Sequence, residues 1–310
     1  MARSEKTKGL LNKYVWVIET ISRKKKISFN DLNKLWKADV DISGGENLSK
    51  RTFDNWKSAI WDFFGIEIVA ERSGEYRYYI ENEKDLRGNG LRSWLYNTFC
   101  VSNALANSQS IKDRILLEYV PSGKDYLKPI VEAMKGNHVL NITYYFYWKD
   151  EEYNVDVQPY CVKLFRQRWY MVALSTSHQG RRPHIYSLDR IQELHIKDET
   201  FKMPRNWDAN EFFHGCYGII SDPRTPIQRI KLKVSASQAN YIRDLQLHES
   251  QQEIEQNEEY SIFTYRLRPE YDFMQEILRN GSDVEVLEPK ELRDEMAEII
   301  EQLHNKYKEK

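Results

Sequence analysis

Apolar residues recur at helical spacing over residues 8–22, where Leu11, Tyr14, Val15, Ile18 and Ile21 share one face. The basic run Arg23-Lys24-Lys25-Lys26 ends that helix favourably for its dipole. A second short helix starts near Ser28 or Asn30 and carries Leu32, Leu35 and Trp36; residues 39–47, with Gly44-Gly45, read as a loop. A third helix follows, with Ser49 as N-cap, Phe53, Trp56, Ile60, Phe63 and Phe64 as its apolar positions, and Gly65 as its stop. Residues 66–70 and 76–80, on either side of Glu71-Arg72-Ser73-Gly74-Glu75, predict a β-hairpin. Three helices and a hairpin are the outline of a winged helix-turn-helix.

Residues 82–90 are polar, contain two glycines and read as a linker. Residues 91–134 are mostly helical in pattern, with a break at Pro121-Ser122-Gly123 and an apolar face at Leu127, Ile130, Val131 and Met134. From residue 138 the pattern changes to short β segments at 139–148, 153–158, 160–165, 168–175, 184–188 and 191–196, which suggests a small antiparallel barrel or a strongly bent sheet. Residues 203–218 form an aromatic-rich connector. Strands at 227–234, 259–267 and 284–287 then alternate with helices at 237–245, 271–279 and 289–307, the pattern of a compact α+β module.

The formal charge of −1 over 310 residues conceals an uneven distribution. Residues 1–80 carry 15 basic and 11 acidic side chains, whereas residues 244–310 carry 8 basic and 18 acidic. A basic N-terminal quarter suits a polyanion partner. No apolar run reaches the roughly 18 residues of a spanning helix, and MARSEKTKG lacks the apolar core of a secretory leader. Three widely separated cysteines, Cys100, Cys161 and Cys216, offer neither a disulfide framework nor a zinc site. The expectation is a cytoplasmic protein without membrane association, metal or cofactor.

Two stretches carry candidate chemistry. On the third helix, Ser49, Lys50, Arg51, Thr52, Asn55 and Lys57 fall near the N-terminal, solvent-facing side. Such an end can enter a major groove, with Ser49 and Thr52 on phosphate and Arg51 and Asn55 on base edges, while Arg72 and Arg77 of the hairpin reach the backbone. A solvated helix face with a capping serine is the plain alternative. The second stretch runs from 161 to 190, with six basic residues and one acid, Asp189. On a strand, Arg168, Tyr170 and Val172 point to one side, and Trp169, Met171 and Ala173 to the other. A cation beside a phenol is a pairing suited to phosphates and bases; the plain alternative is a core tyrosine with solvated arginines. Enzyme signals are thin, with no phosphate-binding glycine loop, dinucleotide fingerprint or H-E-x-x-H, and the expectation is a non-enzyme.

At these residues the chain resembles the WYL-domain transcriptional regulators of bacteria. The Trp-Tyr-Leu motif stands as Trp169-Tyr170-Met171, preceded by Arg168, with a volume-conserving apolar swap at its last position. A Leu-Asp-Arg-Ile stretch is intact as Leu188-Asp189-Arg190-Ile191, and the Ser-x-Arg-Thr of the recognition helix is Ser49-Lys50-Arg51-Thr52. Asn55-Trp56-Lys57 departs from the family's Arg-Asp-Ile/Leu pattern. Arg268-Pro269 through Pro289 and the terminal helix are similar to the WCX extension.

The resemblance implies an α+β multidomain chain: a winged helix at 1–82, a helical linker and dimerisation region at 83–136, a small Sm-like antiparallel β-barrel WYL domain at 137–205, and a connector with an α/β sandwich-like WCX module at 206–310. It implies a homodimeric DNA-binding regulator of transcription on double-stranded DNA, whose barrel senses a nucleic-acid or nucleotide-like effector. Arg168, Tyr170 and Arg190 carry over by motif as effector-binding residues; Tyr144, Tyr160, Lys163 and Tyr186 follow by position. The alternative function is a nucleic-acid-binding accessory protein that holds single strands in the barrel.

Overall fold

The computed structural model describes residues 2–72, 74, 76–84, 90–106, 113–116, 118–147, 149–177 and 182–308, with the side chains of 2–8, 103, 104 and 106 outside that description. Arg181, most of the turn expected at 177–180 and part of the linker expected at 82–90 therefore lie outside the described residues. The chain divides into two compact units, Met1–Leu117 and Glu118–Lys310. Every named strand pairs antiparallel with its neighbours, so the fold mixes helices with antiparallel sheets.

The first unit runs α1 (Ala2–Lys24), α2 (Phe29–Ala38), α3 (Val40–Ser43), α4 (Lys50–Phe64), β1 (Ile68–Ala70), β2 (Tyr78–Ile80) and α5 (Leu91–Ala106). Ser28 and Ser49 cap α2 and α4: their hydroxyls accept from the amides of Asp31 (3.2 Å) and Thr52 (3.0 Å). The expected loop at 39–47 contains the single turn α3, which ends in the left-handed conformation at Gly44. Val17, Ile18 and Ile21 of α1 meet Leu32 and Trp36 of α2, Phe53, Trp56 and Ile60 of α4, and Tyr78 of the hairpin in one core. Its aromatic rings meet edge to face, Trp36 with Trp56 at 5.3 Å and Phe53 with Tyr78 at 4.9 Å.

The second unit begins with α6 (Lys124–Gly136), then β3 (His138–Phe146), β4 (Glu151–Phe165), β5 (Arg168–Ser175), β6 (His184–Ser187), a 3-10 turn (Leu188–Arg190) and β7 (Ile191–Thr200). The strand order is β6-β5-β4-β3-β7. Instead of closing into the expected barrel, the sheet stays open, because no ladder among the described residues joins β6 to β7. Only the three-residue turn links those two edges, so their facing ends lie within about 14 Å and the sheet is curled on itself. Pro159, which has no N–H, predicts a break between two strands; the structure has one continuous strand, with a bulge between Pro159 and Cys161 absorbing the proline.

After α7 (Ala209–Phe212) come β8 (Gln228–Ser235), α8 (Ala236–Asp244), β9 (Gln252–Gln256), β10 (Tyr260–Leu267), α9 (Tyr271–Arg279), β11 (Val284–Glu288) and α10 (Lys290–Lys308). The four strands order as β11-β8-β10-β9. Ile230, Leu232 and Val234 of β8 alternate inward against Ile242, Phe273, Ile277 and Leu292 of the helices.

The β4–β5 hairpin helps to tie this module to the five-stranded sheet. The β4–β5 hairpin turns through Arg166 and Gln167, both at positive φ (47° and 64°), a costly backbone for residues with a side chain. Arg166 offsets that cost by pairing with the buried carboxylate of Glu276 on α9 and donating to the Tyr217 hydroxyl at 3.1 Å. Among the described residues no helix is long and apolar enough to cross a membrane.

Candidate functional site

The pleat of β5 separates the first candidates. Met171 and Ala173 are fully buried in the sheet's core, with Trp169 at its margin. Tyr170 belongs to the opposite face, is only 8% exposed and pairs with Ser187 on β6.

The turn Leu188–Arg190 sends three side chains in three directions. Leu188 fills the core. Asp189 accepts from the Arg168 guanidinium and from the Ser187 hydroxyl. Arg190 lines a cavity of about 350 Å3 together with Tyr144, Tyr170 and Ser187 of the sheet and Phe212, Ile219, Ile220 and Ser221 of the connector. Gly123 permits this turn: its φ is +64°, and a Cβ there would stand 2.4 Å from Leu188 Cβ and 2.5 Å from the Asp189 nitrogen.

Charge is distributed unequally between the two arginines. Arg168 is neutralised by Asp189. Arg190 forms no ion pair among the described residues, and its guanidinium carbon lies 3.9 Å from the centroid of the Tyr147 ring; the Nε atoms of both arginines are buried without an acceptor. Burial raises the phenols of Tyr144 and Tyr170, an effect that the Ser187 amide and Arg190 oppose at Tyr144 and Arg168 opposes at Tyr170. At Asp189, desolvation pushes the carboxyl up, but the hydrogen bonds from Ser187 and Arg168 outweigh it and hold the group below the usual carboxylate range. The cavity thus offers one uncompensated cation beside two neutral phenols, a donor set that fits a phosphate or carboxylate oxygen.

The structure brings Tyr144, Tyr170 and Arg190 together, with Arg168 one step behind through Asp189. Tyr186 instead lines a second cavity of about 430 Å3 with Phe146, Tyr153 and Ile185, and burial pushes its phenol up to about 12. Tyr160 packs against Trp207 at 4.9 Å and Phe201 at 5.9 Å. The ammonium of Lys163 donates to the Gly218 carbonyl at 2.6 Å and sits 3.9 Å from the Phe213 ring centroid, where burial lowers its pKa. Tyr147 is not marked by the motifs; the aromatic run Tyr144-Tyr145-Phe146-Tyr147 is its available signal. Residues 219–221 carry no such signal.

In the first unit, Ser49 is occupied as the cap of α4, with its hydroxyl 2.7 Å from that of Thr52. Arg51 and Asn55 are exposed beyond it, and Arg72 and Arg77 are exposed on the hairpin. Lys50 and Lys57 both pair with Asp54, at 3.3 and 3.0 Å, and lie over the Tyr78 ring at 4.4 and 5.1 Å. Desolvation tends to raise the Asp54 carboxyl, yet Lys57 and Lys50 bring it below its ordinary value. Both lysines are therefore turned toward their own domain.

A family model of the WYL domain matches residues 125–196, and one of the WCX domain matches residues 226–303. Among solved structures, the chain is similar to proteasome accessory factor B/C (PafBC) of Arthrobacter aurescens at 19% identity and a TM-score of 0.37, over 93% of this chain and 46% of that one. It is also similar to a CRISPR Cas-related protein at 14% identity and a TM-score of 0.39, over 97% of this chain and 85% of that one. The chain spans less than half the length of the PafBC chain. No curated protein matches it.

Proposed function

The chain is a WYL-domain protein with a WCX domain behind it, and from that premise we propose that it is a DNA-binding transcriptional regulator whose Arg190 cavity takes a nucleic-acid or nucleotide-like effector. The observation that carries the effector half is Arg190: a cation without an ion pair among the described residues, its Nε buried and unpartnered, lining a cavity with two phenols. An anion entering there pairs with the Arg190 guanidinium, and the half-dry surroundings make the contact stronger than it is in water.

The DNA-binding half rests on the first unit, read as a winged helix. In that reading α4 enters the major groove with Arg51 and Asn55 toward base edges, while Arg72 and Arg77 of the hairpin hold phosphate. An effector changes this binding only by preferring one arrangement of the chain over another.

The test uses fluorescence anisotropy of genomic duplexes selected by the full chain, with and without a short 5′-phosphorylated oligothymidylate. Duplex affinity that shifts with the oligonucleotide in the wild type, but not in Arg190→Ala, supports the proposal. Duplex affinity unchanged by Arg51→Ala removes the groove-reading assignment. The inward engagement of Lys50 and Lys57 favours a second reading, in which the chain holds single strands as its main task. Single-strand binding with a steep salt dependence, and no sequence-specific duplex, would select that reading.

A further inference from the structure

The far wall of the Arg190 cavity does not belong to the curled sheet. Ile219, Ile220 and Ser221 supply it, from the connector that leads into the C-terminal module. That segment is held at several points. Asp272, in the first turn of α9, accepts from the amides of Ile219 (2.9 Å) and Ile220 (3.2 Å) through one carboxylate oxygen, while the other accepts from the Phe273 amide at 3.0 Å. Lys163 holds the Gly218 carbonyl, and the Ser221 hydroxyl donates to the Phe212 carbonyl at 2.7 Å. Gly218 is where this grip is tightest: a Cβ there would stand 2.4 Å from the Asp272 oxygen and 2.8 Å from the Phe165 ring.

We propose that Asp272 is a positioning residue of the effector cavity, fixing its far wall from the C-terminal module through the amides of Ile219 and Ile220. The inference rests on the reading of the Arg190 cavity as the effector site. Its physical content is a linkage: a ligand that presses on residues 219–221 acts on α9, and a change at α9 acts on the ligand, by the same factor. Hydrogen bonds from amides to a carboxylate are among the stronger ones, so the wall moves with the helix and not independently of it. The Arg166–Glu276 pair grips the same helix from the β4–β5 hairpin, so α9 is held on two sides.

The experiment measures binding of a fluorescein-labelled, 5′-phosphorylated oligothymidylate to the full chain, together with amide hydrogen exchange with and without that probe. Asp272→Ala is expected to weaken the probe by at least about fivefold, the lower end of ordinary coupling. Asp272→Asn keeps an acceptor for the Ile219 and Ile220 amides but loses the charge and turns an NH2 toward the Phe273 amide, so it is expected to fall between the wild type and Asp272→Ala. Gly218→Ala forces the Asp272 carboxylate off its amides from the other side and is expected to behave like Asp272→Ala. In the wild type, the probe should also slow exchange along α9, a response that mere structural support does not give. Faster exchange at 219–220 in Asp272→Ala, with unchanged probe affinity, would overturn the inference and leave the cavity reading intact. Equal affinity of Arg190→Ala and wild type would instead overturn the cavity reading, and this inference with it.

Discussion

The carboxylate of Asp189 accepts from the Arg168 guanidinium while its neighbour Arg190 enters the cavity with no ion pair among the described residues. One residue of the Leu-Asp-Arg-Ile stretch thus neutralises the motif arginine of β5, and the next carries the free charge. The arrangement makes Asp189 a structural anion. Its folded pKa lies below the ordinary 3.8, so below that value the unfolded chain binds the proton first. The stabilisation is complete above 3.8 and fades as the pH falls through the folded value. Chemical denaturation from about pH 4 downward should show falling stability, and Asp189→Asn should flatten part of that fall. At neutral pH the same variant should cost on the order of 1–3 kcal/mol, because it weakens charge-assisted bonds at a half-buried group.

Gly123 supports that turn from below. Gly123→Ala forces a Cβ into Leu188 and Asp189 at a left-handed backbone position. Urea denaturation should report a loss of about 1–3 kcal/mol. Oligothymidylate affinity should fall as well, since Arg190 moves with the turn. A variant that loses stability but binds as tightly as the wild type would separate Arg190 from the turn's position.

Asp54 holds Lys50 and Lys57 against the first unit. Asp54→Asn releases two cations on the N-terminal half of α4 and removes a charge that repels phosphate. Duplex affinity should rise, and the slope of log affinity against log salt should steepen by about 1 to 2. An unchanged slope would mean that this end of α4 does not approach DNA.

Replacing Ser49 by alanine removes the oxygen that accepts the Thr52 amide. The expected cost is about 1 kcal/mol in denaturation of the full chain, with circular dichroism at helical wavelengths following the same transition.

Much of this architecture is legible in the sequence because it is written in local chemistry. Ser28 and Ser49 signal helix starts, Gly65 a stop, and the alternation at 168–175 a strand. The strand β9 is not legible: Gln252–Gln256 is exposed throughout at a sheet edge, so its sequence carries no apolar alternation. The unity of β4 is hidden by Pro159, whose bulge only a paired neighbour can reveal. At the site, the motif residues Tyr170 and Arg190 are readable, but which arginine keeps a free charge depends on where Asp189 turns. Lys163 points away from the cavity because the Gly218 carbonyl, far along the chain, captures it. The wall at 219–221 is purely a product of tertiary packing.

On this reading the Arg190 cavity receives an anionic nucleotide group. Isothermal titration of the full chain with a short 5′-phosphorylated oligothymidylate, in wild type and Arg190→Gln, tests it most directly. The wild type should bind saturably, and Arg190→Gln should bind at least about tenfold more weakly, equivalent to about 1.4 kcal/mol. Equal affinity in the two proteins would contradict it.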